Sequence, residues 1–186
     1  MLFHKCTSMF RLPYLIALAL SVCASASAVT LQQLSMDEMT QAATAIVRVR
    51  VTGAVPAMAG SMIYTHYQLQ VSETWKGAAA SEVVLPGGVA GGFRQSFPGV
   101  PQLTTGSEYV LFLWTSAGGV THLLGMTQGI FSVSQRTDGV LEVSRARIGE
   151  AMRDASGHAV QDHAVRMNLS DMKIQVRQMT GQGGLR

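Results

Sequence analysis

The chain has 186 residues, of which 47% are hydrophobic and 13% charged, with a formal net charge of +3. That length supports one domain with a substantial core, while the sparse charge, with no basic block, argues against a nucleic-acid-binding surface. Two of the 14 Lys and Arg residues, Lys5 and Arg11, fall in a predicted leader, leaving 12 against 11 acidic residues in the remainder.

The leader (residues 1–28) reads as a signal peptide. Lys5 and Arg11 form a positive n-region, Leu12–Val22 a short apolar run, and Ala26-Ser27-Ala28 a small-x-small cleavage site. The apolar run is about half of the ~20 residues that span a bilayer, so the expectation is export to a secreted or periplasmic location, with no transmembrane helix in the mature chain. Leu20-Ser21-Val22-Cys23 approaches a lipoprotein signal, but Val22 is bulky where a small residue is usual. Cleavage after Ala28 is therefore favoured over a lipid anchor at Cys23. Both cysteines, Cys6 and Cys23, lie in the leader. The mature chain then has no disulfide, no thiolate metal site and no cysteine nucleophile.

All 19 glycines lie after the leader, in small groups between runs rich in Val, Leu, Tyr and Thr. This is the pattern of short strands joined by tight turns. Residues 29–43 are expected to form a short N-terminal helix, with Ser35 and Glu38 as a capping box. Ala45–Ala54 alternates as a strand with Val47, Val49 and Val51 inward and Arg48, Arg50 and Thr52 outward. Residues 55–61, with Pro56 and Gly60, are predicted as a loop. In Met62–Gly77, Tyr67, Leu69 and Val71 alternate with Gln68, Gln70 and Ser72 in a central strand that runs into Trp75 and turns at Lys76-Gly77.

Glu82–Leu85 is a brief strand stopped by Pro86-Gly87-Gly88, and Gly91-Gly92 bends the chain before Phe93–Phe97. Pro98 to Pro101 must be irregular, since two prolines remove ladder donors. Tyr109–Thr115 is apolar on both faces, which suits a strand buried on both sides. Val120–Gly125 follows a turn at Ala117-Gly118-Gly119, and Ile130–Ser134 and Val140–Ser144 flank an Asp138-Gly139 hairpin turn. Extended pieces near Ala151–Arg153 and His158–Val165 precede a C-terminal helix, Asp171–Met179, with Ser170 as its N-cap. Gly181–Arg186 is a frayed tail.

The order of an Ile-Val-rich strand, Tyr67-x-Leu69-x-Val71-x3-Trp75-Lys76-Gly77 and Gly106-x2-Tyr109-x-Leu111 resembles the netrin-like, TIMP-like relatives of the OB fold. It is still more similar to a group of uncharacterised exported bacterial proteins. Their Lys-Gly turn is followed by Pro-Gly-Gly, here Pro86–Gly88, and later by G-x-x-Q-G-x-F, here Gly125–Phe131. The resemblance, over roughly residues 31–135, implies an all-β fold: an OB-like small β-barrel with a helix at each end. TIMP-type inhibition, which uses an N-terminal cysteine on a catalytic zinc, does not carry over to a mature chain without cysteine.

Catalytic and metal motifs are poorly supported. His66, His122, His158 and His163 form no HExxH and no Cys/His quartet, so solvated or hydrogen-bonded histidines are favoured over zinc. The nine methionines after the leader suit core filling better than copper binding. Ser170-x-x-Lys173 lacks the companion motifs of penicillin-recognising enzymes, and Gly87–Gly92 lacks the lysine of a phosphate loop. No cofactor or metal is expected.

The remaining reading is a non-catalytic binding or envelope-associated module with a protein, peptide or glycan partner. Its expected ligand-binding residues are the polar strand face Arg48, Arg50, His66, Gln68 and Gln70, with Phe93 and Phe97 on the loop Gly87–Pro101. Arginine and glutamine on a rigid sheet offer directed hydrogen bonds, and aromatic loop tips offer a contact surface. Two other readings stand beside it: an inhibitor or accessory factor of an exported protease, which the resemblance alone implies, and an enzyme with His66 in acid–base work beside Glu73 or Glu82.

Overall fold

The computed structural model describes residues 30–182. The leader with Cys6 and Cys23, the cleavage site after Ala28, and residues 183–186 of the expected tail lie outside the described residues. In chain order the elements are β1 (Thr30–Gln32), α1 (Met36–Ala42), β2 (Ala45–Ala59), β3 (Met62–Lys76), β4 (Glu82–Pro86), β5 (Gly88–Ala90) and β6 (Phe93–Gln95). They continue with β7 (Glu108–Thr115), β8 (Thr121–Leu123), a 3-10 turn (Met126–Gly129), β9 (Ile130–Gln135), β10 (Leu141–Arg145), β11 (Ala151–Arg153), β12 (Ala159–Val160), β13 (Val165–Asn168) and α2 (Leu169–Gln182).

The protein is mainly β with one helix near each end of the described chain. Its principal sheet runs β13-β10-β9-β7-β2-β3-β4, with β8 also on β7, and small sheets β1-β11-β12 and β5-β6 stand beside it. The sheet curls because β2 and β3, each 15 residues long, are bent by register shifts. Arg48 faces Glu73 while Val49 faces Val71, so Ser72 is the extra residue of a bulge.

Curling gives the sheet two buried faces. Inside, Val47, Val49, Val51, Leu69, Val83, Leu85, Leu111 and Leu113 interdigitate. Outside, Ile46, Val110, Phe112, Phe131 and Val143 pack under Met39 of α1, Ala43 at its C-cap, and Leu169, Met172 and Val176 of α2. Each side chain buried in this way contributes roughly 1.5–3 kcal/mol. Strand β7 is buried on both faces, Tyr109 through Leu113, as its apolar run indicates.

The expected closed barrel is not found. Strands β7, β2, β3 and β4 curl until β8, on the far edge of β7, lies near β4, yet no backbone ladder joins β4 to β8. Both strands are short, β4 ends at Pro86, and the His122 Nδ1 sits 3.3 Å from the Val84 carbonyl. A side chain thus occupies an acceptor that a closing ladder would have used.

Several local expectations shift as well. Residues 30–32 pair in parallel with β11, so the N-terminal helix is only Met36–Ala42; its Ser35–Glu38 capping box is formed. The predicted loop at residues 55–61 is strand through Ala59, and the turn is confined to Gly60-Ser61. Pro56 is tolerated there because β7 pairs with β2 only from Ala45 to Arg50, which leaves the distal half of β2 an edge. Helix α2 begins at Leu169, so Ser170 lies inside its first turn rather than at the N-cap, and Gly181 is helical. Asn168, the preceding residue, donates its amide to Asp171 at 3.0 Å.

Candidate functional site

The sequence motifs turn out to be scaffold. Lys76 Nζ donates to the Thr40 and Gln41 carbonyls at the end of α1, at 2.7 and 2.9 Å, which places a cation where a helix C-terminus favours one. Gly77, at φ +67°, passes so close to Thr44 that an added Cβ would lie 1.9 Å from its carbonyl oxygen. In the Gly125–Phe131 stretch, the buried Gln128 accepts from the Leu34 amide at 2.8 Å and donates to the Gln32 carbonyl at 2.9 Å. It pins the N-terminal segment to the sheet.

Arg48 and Arg50 do not offer a free binding face. Arg48 is half-buried, with Nη1 on Glu73 and Nε on Glu108, both at 3.0 Å. Glu73 also pairs with Lys173 of α2 and accepts from Trp75 Nε1 at 3.2 Å. The Lys173 ammonium holds the Glu73 carboxyl down to about 2; burial opposes this, and Arg48 and Trp75 add to it. The network ties helix α2 to strands β2, β3 and β7. Arg50 Nη1 donates to the Gly106 carbonyl at 2.6 Å. Gln70 stands opposite Arg50 and is exposed, and Gln68 is exposed with its Oε1 beside Gly53.

His66 lies elsewhere, in a groove of about 780 Å³ between the outer face of β3–β4 and the β7–β8 hairpin. Its Nδ1 is 3.0 Å from Glu82 Oε1, and His122 faces it from the opposite wall. Trp114 stacks on His122 at 6.0 Å between ring centroids. Tyr64, Ser81, Ser116 and Thr121 add hydroxyls, and Ala79, Ala80, Gly118 and Gly119 leave room. With each imidazole held through Nδ1, Nε2 is the ring nitrogen left for a ligand. Among the described residues, no group of three or more His, Cys, Asp or Glu is placed to hold a metal ion.

Phe93 and Phe97 separate. Phe93 is 65% exposed on the β5–β6 hairpin, whereas Phe97 is half-buried, lining a cavity of about 190 Å³ with Tyr67, Gly87 and Arg94. The loop thus covers part of the sheet through Phe97 and leaves Phe93 free.

Sequence reasoning missed Tyr64, Ser116 and Thr121, and it passed over His122 as a residue of a later strand. Tyr64 was legible as the residue two before His66, on the same face. The approach of β8 to β4 was not legible, because nothing local records it.

No protein-family model matches the chain, and no curated protein matches it in sequence.

Proposed function

We propose that the chain is an exported, non-catalytic binding module whose groove between β4 and the β7–β8 hairpin takes a neutral saccharide. The carrying observation is the His66–Glu82 pair facing His122 across a groove lined by Tyr64 and hydroxyl side chains. A carboxylate and an imidazole fixed side by side match the acceptor and donor of adjacent sugar hydroxyls, and an aromatic ring packs against the C–H face of the sugar. The groove volume lies within the usual range for small-molecule sites, on the order of 300–1,000 Å³. Among the described residues, Glu82 is the groove's single carboxylate. Glycoside hydrolysis uses two, so binding without turnover is the better reading.

Titration calorimetry of the purified protein against a panel of neutral mono- and disaccharides tests this. Binding to at least one sugar is expected, weakened tenfold or more in Glu82→Gln and His122→Ala. No heat at millimolar sugar, or affinity unchanged in both variants, would remove the reading.

A further inference from the structure

At the opposite end of β3 from the Glu73 network, two hairpin turns stand side by side: Gly60-Ser61 between β2 and β3, and Gly91-Gly92 between β5 and β6. They touch, since a Cβ on Gly91 would lie 2.8 Å from Met58 Sδ and 4.0 Å from the Phe93 ring. What this tip shows to solvent is apolar: Phe93 is 65% exposed, Met58 50% and Val89 48%. Charge is nearly absent. Residues 52–65 carry none and residues 83–107 carry one, Arg94, where the chain average of 13% would place about five.

Part of the tip's backbone is bonded inward. Gln95 accepts from the Ile63 amide and donates to the Ser61 carbonyl, both at 2.7 Å, and Thr65 Oγ1 donates to the Gly87 carbonyl at 2.7 Å. Pro56 removes one amide from the edge of β2. A segment that enters a medium without water needs this internal pairing.

We propose that this tip docks on an anionic lipid surface, with Phe93 and Met58 entering the headgroup–acyl boundary and Arg94 meeting lipid phosphate. A protein partner fits less well. Protein interfaces carry roughly one hydrogen bond per 100–200 Å², and the polar groups named here are turned inward. A cation with no carboxylate in residues 52–65 or 83–107 matches an anionic surface, and exposed apolar side chains beside a turn match an interfacial anchor. This inference is independent of the saccharide groove, whose lining includes none of Met58, Val89, Phe93 and Arg94.

The test is co-sedimentation of the purified protein with vesicles of phosphatidylglycerol and phosphatidylethanolamine, against vesicles of phosphatidylcholine alone. Binding to the anionic vesicles is expected. Phe93→Ser is expected to lower the partition coefficient about tenfold or more, from the cost of exposing a buried Phe, and Arg94→Glu to remove the preference for anionic lipid. Ile174→Ser, which removes another exposed apolar side chain, 54% in solvent on α2, is the control and should change nothing. Any leader retained on the protein is common to all variants, so the differences report on the tip. No binding of the wild type, equal binding by Phe93→Ser, or equal loss in Ile174→Ser would overturn the proposal. Concentration-dependent dimerisation abolished by Phe93→Ser, with no vesicle binding, would replace lipid by a second copy of the chain.

Discussion

Replacing Glu73 by Gln keeps the side-chain shape and the acceptor for Trp75 but removes the charge shared by Lys173 and Arg48. In the folded protein this carboxyl titrates at about 2, against 4.5 for a free glutamate. A shift of that size corresponds to roughly 3 kcal/mol at full weight. Because 28% of the Glu73 side chain is in solvent, screening brings the expected loss at pH 7 to about 1.5–2 kcal/mol. For a domain of this size that is a fall in Tm of about 3–8 °C. The folded-state pKa is depressed, so the stabilisation is fully present above about 4.5 and is lost as pH falls towards 2. Urea unfolding of wild type and Glu73→Gln should therefore show the full gap at pH 7 and about half of it at pH 3. Urea is preferred to guanidinium, whose ions would screen the network. A gap below about 0.5 kcal/mol at pH 7, or one that does not shrink at pH 3, would refute the assignment of Glu73 as the hub.

Gly77→Ala, forced into φ +67° with its Cβ against the Thr44 carbonyl, should cost about 3 kcal/mol or more in chemical denaturation. Arg145→Met would strand Asp162, 4% exposed and otherwise bonded to the Ile148 amide, and should cost about 3 kcal/mol at pH 7 by the same measurement. Phe93→Ala should leave the melting temperature within a degree or so, whereas Phe97→Ala, half-buried against Gly87, should lower stability by about 1 kcal/mol.

Much of the fold is legible where the signal is local. The Ser35–Glu38 box, the inward valines of β2 and the doubly apolar β7 each follow from residue spacing. The distal half of β2 was missed because Gly, Ala and Pro are poor strand formers; pairing with β3 holds it extended. Arg48 looked solvated because strict alternation places Glu73 on the face of Val71; the bulge at Ser72 moves it beside Arg48 instead. The third member of that network, Lys173, is 100 residues further on. The open seam follows from two short edges meeting in space, which no spacing rule addresses. For the candidate site, His66 was legible as a polar-face residue, but its partner across the groove depends on that seam.

Strand β7 gives alternate residues to each core, with Tyr109, Leu111 and Leu113 on one side and Val110 and Phe112 on the other. Neither core is therefore a separable lobe. Loosening the helices frees Phe112, and with it the strand that holds the interior of the curl. The molecule should lose both cores in one cooperative transition, and a truncation that removes α2 should yield a collapsed, loosely packed chain rather than a trimmed version of the fold.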